Sequence, residues 1–261
     1  MTAIATTTDL RFTVPLYTVT EASRILVVPR ATLSTWADGY TRQYEGAAMA
    51  TTSAPATDAR ATSSRPSVLT RDYAPMITAF ETAQPKGARI PFVGVAEAYA
   101  LNAFRRAGVP MQRIRPSIDW LVQNVGPHAL ASKALFTDGA EVLWDFAQAS
   151  GGDRGTADVV RGLVVPRSGQ YVFKDIITHY LRQITFGTDE YAEMIRLPQY
   201  GDADVVLDPY RGYGQPIFSR SGAKVADALG PLQAGETFEA VAADYGVTVN
   251  ELRDAVDAIA A

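Results

Sequence analysis

Residues 17–40, YTVTEASRILVVPRATLSTWADGY, decide the reading of the chain. Thr18 followed three residues later by Glu21 is a capping box: the Thr18 hydroxyl accepts from the Glu21 amide while the Glu21 carboxylate accepts from the Thr18 amide. Val19, Ala22, Ile25 and Leu26 then fall on one helical face. Val27 and Val28 lead to Pro29, a favoured first residue of a second helix. Leu33 and Trp36, three apart, can pack against the first helix, and Gly39 ends the second. Two short helices joined by a tight turn form a helix-turn-helix. In that geometry Arg30, Ala31, Ser34 and Thr35 face outward, where they reach base edges, and Arg24 and Arg42 meet phosphates. A helical hairpin used only for packing is the alternative reading.

The stretch from Tyr17 to Tyr40 resembles the helix-turn-helix of MerR-like and excisionase-like DNA binders. Around it the chain breaks into segments. Residues 46–67, GAAMATTSAPATDARATSSRPS, have the composition of a flexible linker or large loop. A polar, glycine-rich break lies at 148–156, and Gly, Pro and Asp cluster at 198–216. The expected organisation is a MerR-like helix-turn-helix over 1–45, the linker 46–67, a winged-helix-like unit over 68–147, a connecting α/β segment over 157–200 and a small helical domain over 201–261. The fold class is mainly α with short β-hairpins.

In the middle unit, residues 89–107 read as a helix from about Val93, ended by Gly108. Pro110 restarts it, with Ile114, Ile118, Leu121, Val122 and Val125 as the apolar stripe and Pro116 as a splitting point. Asp138-Gly139 is a two-residue hairpin signal. Helix, turn, helix, hairpin is the order of a winged helix. Between Lys86 and Arg115 stand six basic residues and one acidic residue, Glu97. Arg105, Arg106, Arg113 and Arg115 flank the turn, as a phosphate-facing patch or as solvated helix ends.

Further on, short apolar runs at 163–165 and 171–173 precede a helix from about Lys174 to Gln183 that carries His179. His128, after Gly126-Pro127, reads as a helix-cap or loop residue. Residues 203–207 read as a short strand whose edge can pair with a second chain. Thr237 caps a helix, Gly246 breaks it, and a last helix shows Leu252, Val256 and Ile259 on one face.

The succession 205–209, 214–218, 224–229 and 234–247 resembles the small helical domain of unknown function found in many VapB-type antitoxins, commonly paired with a PIN-like nuclease toxin. Residues 218–222 depart from the family's tighter Gly-Thr-Arg turn. The resemblance implies a dimeric repressor that binds double-stranded DNA at an inverted-repeat operator and neutralises such a nuclease.

Composition bounds these readings. The 261 residues carry a formal net charge of -4, unevenly spread: residues 46–125 hold nine basic and five acidic residues, and residues 201–261 hold four and ten. The acidic C-terminal part is repelled by phosphate and suits a protein contact. The absence of cysteine excludes disulfides, thiolate zinc sites and cysteine nucleophiles. No Walker loop, GxGxxG, HExxH or GxSxG occurs. Asp202, Asp204 and Asp208 read as strand-flanking turns rather than metal ligands. Neither a cofactor nor a metal is expected, nor catalysis, nor a membrane span or leader; the expected location is the cytoplasm. Beside the repressor, a purely protein-binding module and an architectural DNA binder of phage or plasmid segregation remain open.

Overall fold

A computed structural model describes residues 9–45, 68–84, 86–106, 108, 111–137 and 182–260. Residues 46–67, the hairpin signal at Asp138-Gly139, the runs at 163–165 and 171–173 and His179 lie outside the described residues. The architecture is mainly helical with antiparallel sheets and includes a helix-turn-helix.

After a short turn of helix, α1 (Leu10–Thr13), come α2 (Val19–Leu26) and α3 (Arg30–Asp38). The expected capping box is present: Glu21 N donates to Thr18 Oγ1 at 3.1 Å, and Thr18 N donates to Glu21 Oε2 at 2.8 Å. Pro29 stands one place earlier than expected, as the residue before the first helical turn, where its fixed φ of -53° still directs the chain into α3. Leu33 and Trp36 are buried, and Gly39 ends α3 at φ +69°. A Cβ there would stand 2.1 Å from the Tyr73 carbonyl oxygen, so the chain can pass only as glycine.

Strand β1 (Tyr40–Glu45) leaves α3 directly and pairs antiparallel with β2 (Val68–Tyr73), with Tyr40 opposite Tyr73 and Glu45 opposite Val68. The chain then runs to α4 (Phe92–Arg106), in which every residue from Phe92 to Phe104 is buried. A helix apolar on all sides belongs in a core. Of its polar members, Asn102 donates through Nδ2 to the Leu26 carbonyl at 3.2 Å, in the last turn of α2. Glu97 accepts from the Thr78 hydroxyl at 3.1 Å and lies 2.9 Å from His128 Nδ1.

Helix α5 (Met111–Val125) runs through Pro116 without splitting, contrary to expectation. Buried neighbours on both sides, Arg115, Ser117 and Ile118, hold the helix against the lost hydrogen bond. Its apolar stripe is narrower than the spacing suggests: Ile118 and Leu121 are buried, but Val122 is 42% exposed, because the buried face turns through Arg115, Ile118 and Leu121. His128, at φ +60°, precedes a short 3-10 turn (Ala129–Ala131), followed by α6 (Ala134–Thr137).

The C-terminal part contains a four-stranded antiparallel sheet in sequential order: β3 (Ile184–Phe186), β4 (Ala192–Arg196), β5 (Val205–Leu207) and β6 (Ile217–Phe218). Val205–Leu207 is therefore an inner strand, bonded to β4 on one side and β6 on the other. The expected edge pairing of this strand with a second chain is excluded, since its backbone groups are already used. Helices α7 (Val225–Gln233), α8 (Phe238–Asp244) and α9 (Val249–Ala260) follow. Thr237 accepts from Ala240 N, as expected. In α9 the buried face is Leu252 and Ala255, while Val256 is half-buried and Ile259 is 49% exposed.

One core joins these parts, from Tyr17 and Leu33 through α4 to Leu207 and Leu252. The Tyr17 hydroxyl donates to the Gly214 carbonyl at 2.6 Å, and Gln199 Nε2 donates to the Ile25 carbonyl at 2.8 Å. Arg11 ties α1 to Asp189 and to the carbonyl of Ala192, the first residue of β4. Among the described residues no helix is long and apolar enough to cross a membrane.

Candidate nucleic-acid interface

Helix α3 packs Leu33, Trp36 and Ala37 inward, which leaves Arg30, Ala31, Ser34 and Thr35 on the open side, as the spacing predicts. At about 100° per residue, Arg30, Ser34 and Asp38 fall within about 80° of one another, and Thr35 and Thr32 lie about 100° and 160° round from Ser34. The open side is thus a ridge with two flanks.

On the first flank Thr32, Thr35 and Trp36 meet Tyr40, Thr41 and Arg42 of β1, Met76, Arg105, Met111 and Arg115 around a groove of about 620 Å³. The ribbon's pleat explains its charge. Residues two apart share a face, so Tyr40 and Arg42 stand with their register partners Tyr73 and Arg71. The two tyrosine rings stack, and Arg71 lies over the Tyr73 ring at 5.3 Å. Arg42 directly opposite Arg71 is a like-charge pair that costs stability on its own. It suits a surface that meets a polyanion.

Arg115 is 8% exposed. Its guanidinium lies 5.5 Å from the Tyr40 ring and 5.6 Å from the Tyr73 ring, and donates through Nη1 to the Ala74 carbonyl. Burial pulls this guanidinium below its ordinary pKa, with the two tyrosines and Asp119 acting the other way. Arg115 therefore supports the ribbon from beneath instead of standing on the surface.

On the second flank Arg30, Ser34 and Asp38 meet Thr18, Val19 and Thr20 of the α2 start and Thr82, Lys86, Gly87 and Arg89, around a groove of about 660 Å³. Arg30 Nε donates to Thr20 Oγ1 at 3.2 Å, and Ser34 Oγ donates to Asp38 Oδ2 at 2.8 Å. Asp38 also pairs with Arg89. Thr35 Oγ1 donates back to the Ala31 carbonyl at 2.8 Å.

The expected basic residues are thus divided. Arg42 and Arg105 share the first groove with Thr35, and Arg30 and Ser34 share the second. Arg24 is exposed in the last turn of α2, and Arg106 lines a smaller cavity with Val27, Tyr99, Asn102 and Gln199. Arg113 belongs to α5, its side chain outside the described residues. Spacing along the chain does not point to Tyr40, Arg71 and Tyr73, and Lys86 and Arg89 stand out only as members of the basic stretch 86–115. A signal for the ribbon was present: YTRQYE and VLTRDY are both short β-prone runs.

Near the C-terminal sheet Asp204 accepts from Arg196 at 3.0 Å and Asp208 accepts from Arg211 at 2.6 Å, while Asp202 donates its backbone amide to Asp254 Oδ2 at 2.9 Å. Among the described residues no group of three or more His, Asp or Glu side chains is placed to hold a metal ion.

Residues 15–69 and 58–118 match a family model described as "Putative DNA-binding HTH domain". The first match contains the helix-turn-helix and β1 and ends within β2; the second contains β2, α4 and the start of α5. The chain is 64% identical over 255 residues to "Putative antitoxin VapB45" of Mycobacterium tuberculosis, covering 97% of both. It is also similar to the X-ray crystal structure of Rv2018 from Mycobacterium tuberculosis. There the identity is 61%, the TM-score is 0.76, and the match covers 95% of this chain and 100% of that one.

Proposed function

The chain belongs to the VapB45 antitoxin family, and on that premise we propose that it is a dimeric, sequence-specific DNA-binding regulator that represses its own operon and neutralises a PIN-like nuclease toxin. The observation that carries this reading is the exposed α3 ridge with Arg42 and Arg105 drawn up beside it from the ribbon and α4.

In this reading α3 enters the major groove, and Arg30, Ala31, Ser34 and Thr35 reach base edges. The β1–β2 ribbon acts as the wing of a MerR-like winged helix, laid on the backbone through Arg42 and Arg71. Arg24, Arg105 and Arg106 complete the phosphate contacts, with Arg113 on the same helix as Arg115. Arg115 is a positioning residue, which fixes the ribbon relative to α3. The operator is an inverted repeat because a two-fold dimer presents two such ridges. The toxin contact falls to residues 201–261, where ten acidic residues face four basic ones. The protein acts by binding and masking, without catalysis of its own.

The test is equilibrium binding to the duplex upstream of the protein's own gene, with a scrambled duplex as competitor, across salt concentrations. Five phosphate-facing arginines per protomer (Arg24, Arg42, Arg71, Arg105 and Arg106) give a dimer a slope of log K against log salt of about -9. Arg30→Ala and Ser34→Ala weaken the operator complex and leave the scrambled complex unchanged. Operator affinity unaltered in both variants overturns the assignment.

A further inference from the structure

The far wall of the groove on the second flank of α3, formed by Lys86 and Arg89, has no part in the helix-turn-helix and ribbon scheme. We infer that it is a second backbone clamp, in which Lys86 and Arg89 grip DNA phosphates on the side of α3 opposite the ribbon. The inference rests on the DNA-binding reading above and extends it to a loop that the helix-turn-helix itself does not supply.

Three observations point to a phosphate ligand. The groove gathers Arg30, Lys86 and Arg89 against one carboxylate, Asp38. Its remaining walls carry the hydroxyls of Thr18 and Thr20, which accept from Glu21 N and Arg30 Nε and keep their own protons for phosphate oxygens. Arg89 Nε is a buried donor that no described residue accepts from. The Arg89 guanidinium is meanwhile held in place through its pair with Asp38, so its direction is fixed before any ligand arrives. Lys86 is exposed at the rim.

The loop is tied rigidly to the reading head. Arg89 N and Ile90 N both donate to the Tyr17 carbonyl, at 2.9 and 3.0 Å, and Phe80 N donates to the Arg89 carbonyl at 2.8 Å. Arg89 therefore keeps a set distance from Thr18 and from the start of α2, with Lys86 three residues before it on the same loop. Because Arg30, Ser34 and Asp38 line this groove while Thr32 and Thr35 line the other, the ridge carrying Ala31 stands between two basic walls. A helix seated in the major groove meets one sugar–phosphate backbone on each side, and the two walls match those two backbones.

The experiment is the salt dependence of binding for the full chain with the upstream duplex and the scrambled duplex. Lys86→Gln lowers affinity for both duplexes by the same factor, several-fold near physiological salt, and makes the slope shallower by about 0.9 per protomer bound. Arg42→Gln, on the ribbon side, serves as the reference. An unchanged slope in Lys86→Gln, with Arg42→Gln still shallower than the unmodified chain, overturns the clamp and leaves the DNA-binding reading standing. A loss confined to the upstream duplex also overturns it, since a phosphate grip does not read sequence. No binding by the unmodified chain overturns both.

Discussion

Tyr40 and Tyr73 stack at a centroid separation of 4.5 Å with their ring planes 16° apart, across the first rung of the β1–β2 ladder. The rung sits where the chain leaves α3, so the stack sets the angle at which the ribbon leaves that helix. The Arg115 guanidinium lies against both rings.

Arg115→Ala removes two cation–π contacts and the bond to the Ala74 carbonyl. A loss of about 2 kcal/mol is expected, read by chemical denaturation. Arg115→Lys keeps the charge but not the planar fork, and recovers only part of that loss. In DNA titrations Arg115→Ala weakens operator binding while the α3 side chains stay intact, as follows for a residue that acts through the ribbon.

Gly94 lies where α4 passes the Thr78 carbonyl, and a Cβ there would stand 2.1 Å from that oxygen. Gly94→Ala is expected to destabilise by about 3 kcal/mol, although alanine is the better helix former by about 1 kcal/mol. A stabilised Gly94→Ala protein in thermal melts would contradict the close approach.

Asp9 and Asp189 share Arg11. The Arg11 hydrogen bond holds the Asp9 carboxyl below its ordinary value, against a smaller opposing effect of burial. Burial pushes Asp189 up, but its bonds from Arg11 and from the Tyr191 amide outweigh that and leave it lowered as well. For a lowered carboxyl, the stabilisation is complete above the unfolded pKa, about 3.9, and is lost as pH falls through the folded value. The attachment of α1 to the C-terminal sheet is thus expected to weaken below about pH 4. In Asp9→Asn the denaturation midpoint changes less between neutral pH and about pH 3 than in the unmodified chain; an equal change would place the acid sensitivity elsewhere.

The Thr18 cap closes α2 at the edge of the second groove. Thr18→Ala leaves an amide of the first turn without its acceptor and costs about 1 kcal/mol. Thr18→Ser retains most of that stability, which separates the cap from packing of the methyl group.

By itself the sequence determined the parts whose causes are local. The cap at Thr18, the burial of Leu33 and Trp36 at helical spacing, the stop at Gly39 and the cap at Thr237 each depend on residues within one or two turns, and each stands where the spacing placed it. The outward set on α3 was legible for the same reason. Only the tertiary structure decided how distant segments meet. The ribbon joins residues 40–45 to 68–73 across a stretch whose composition reads as linker, and pairing across such a gap leaves no local period. Val205–Leu207 carries the apolar pattern of any short strand; its place between β4 and β6 was fixed by the partners it found. Arg115 reads as one more surface cation beside Arg113, yet Tyr40 and Tyr73 bury it from a separate part of the chain. Helix geometry is repaid by hydrogen bonds within a few residues, whereas strand pairing and the burial of a charge are repaid only by contacts that exist once the whole chain has closed around them.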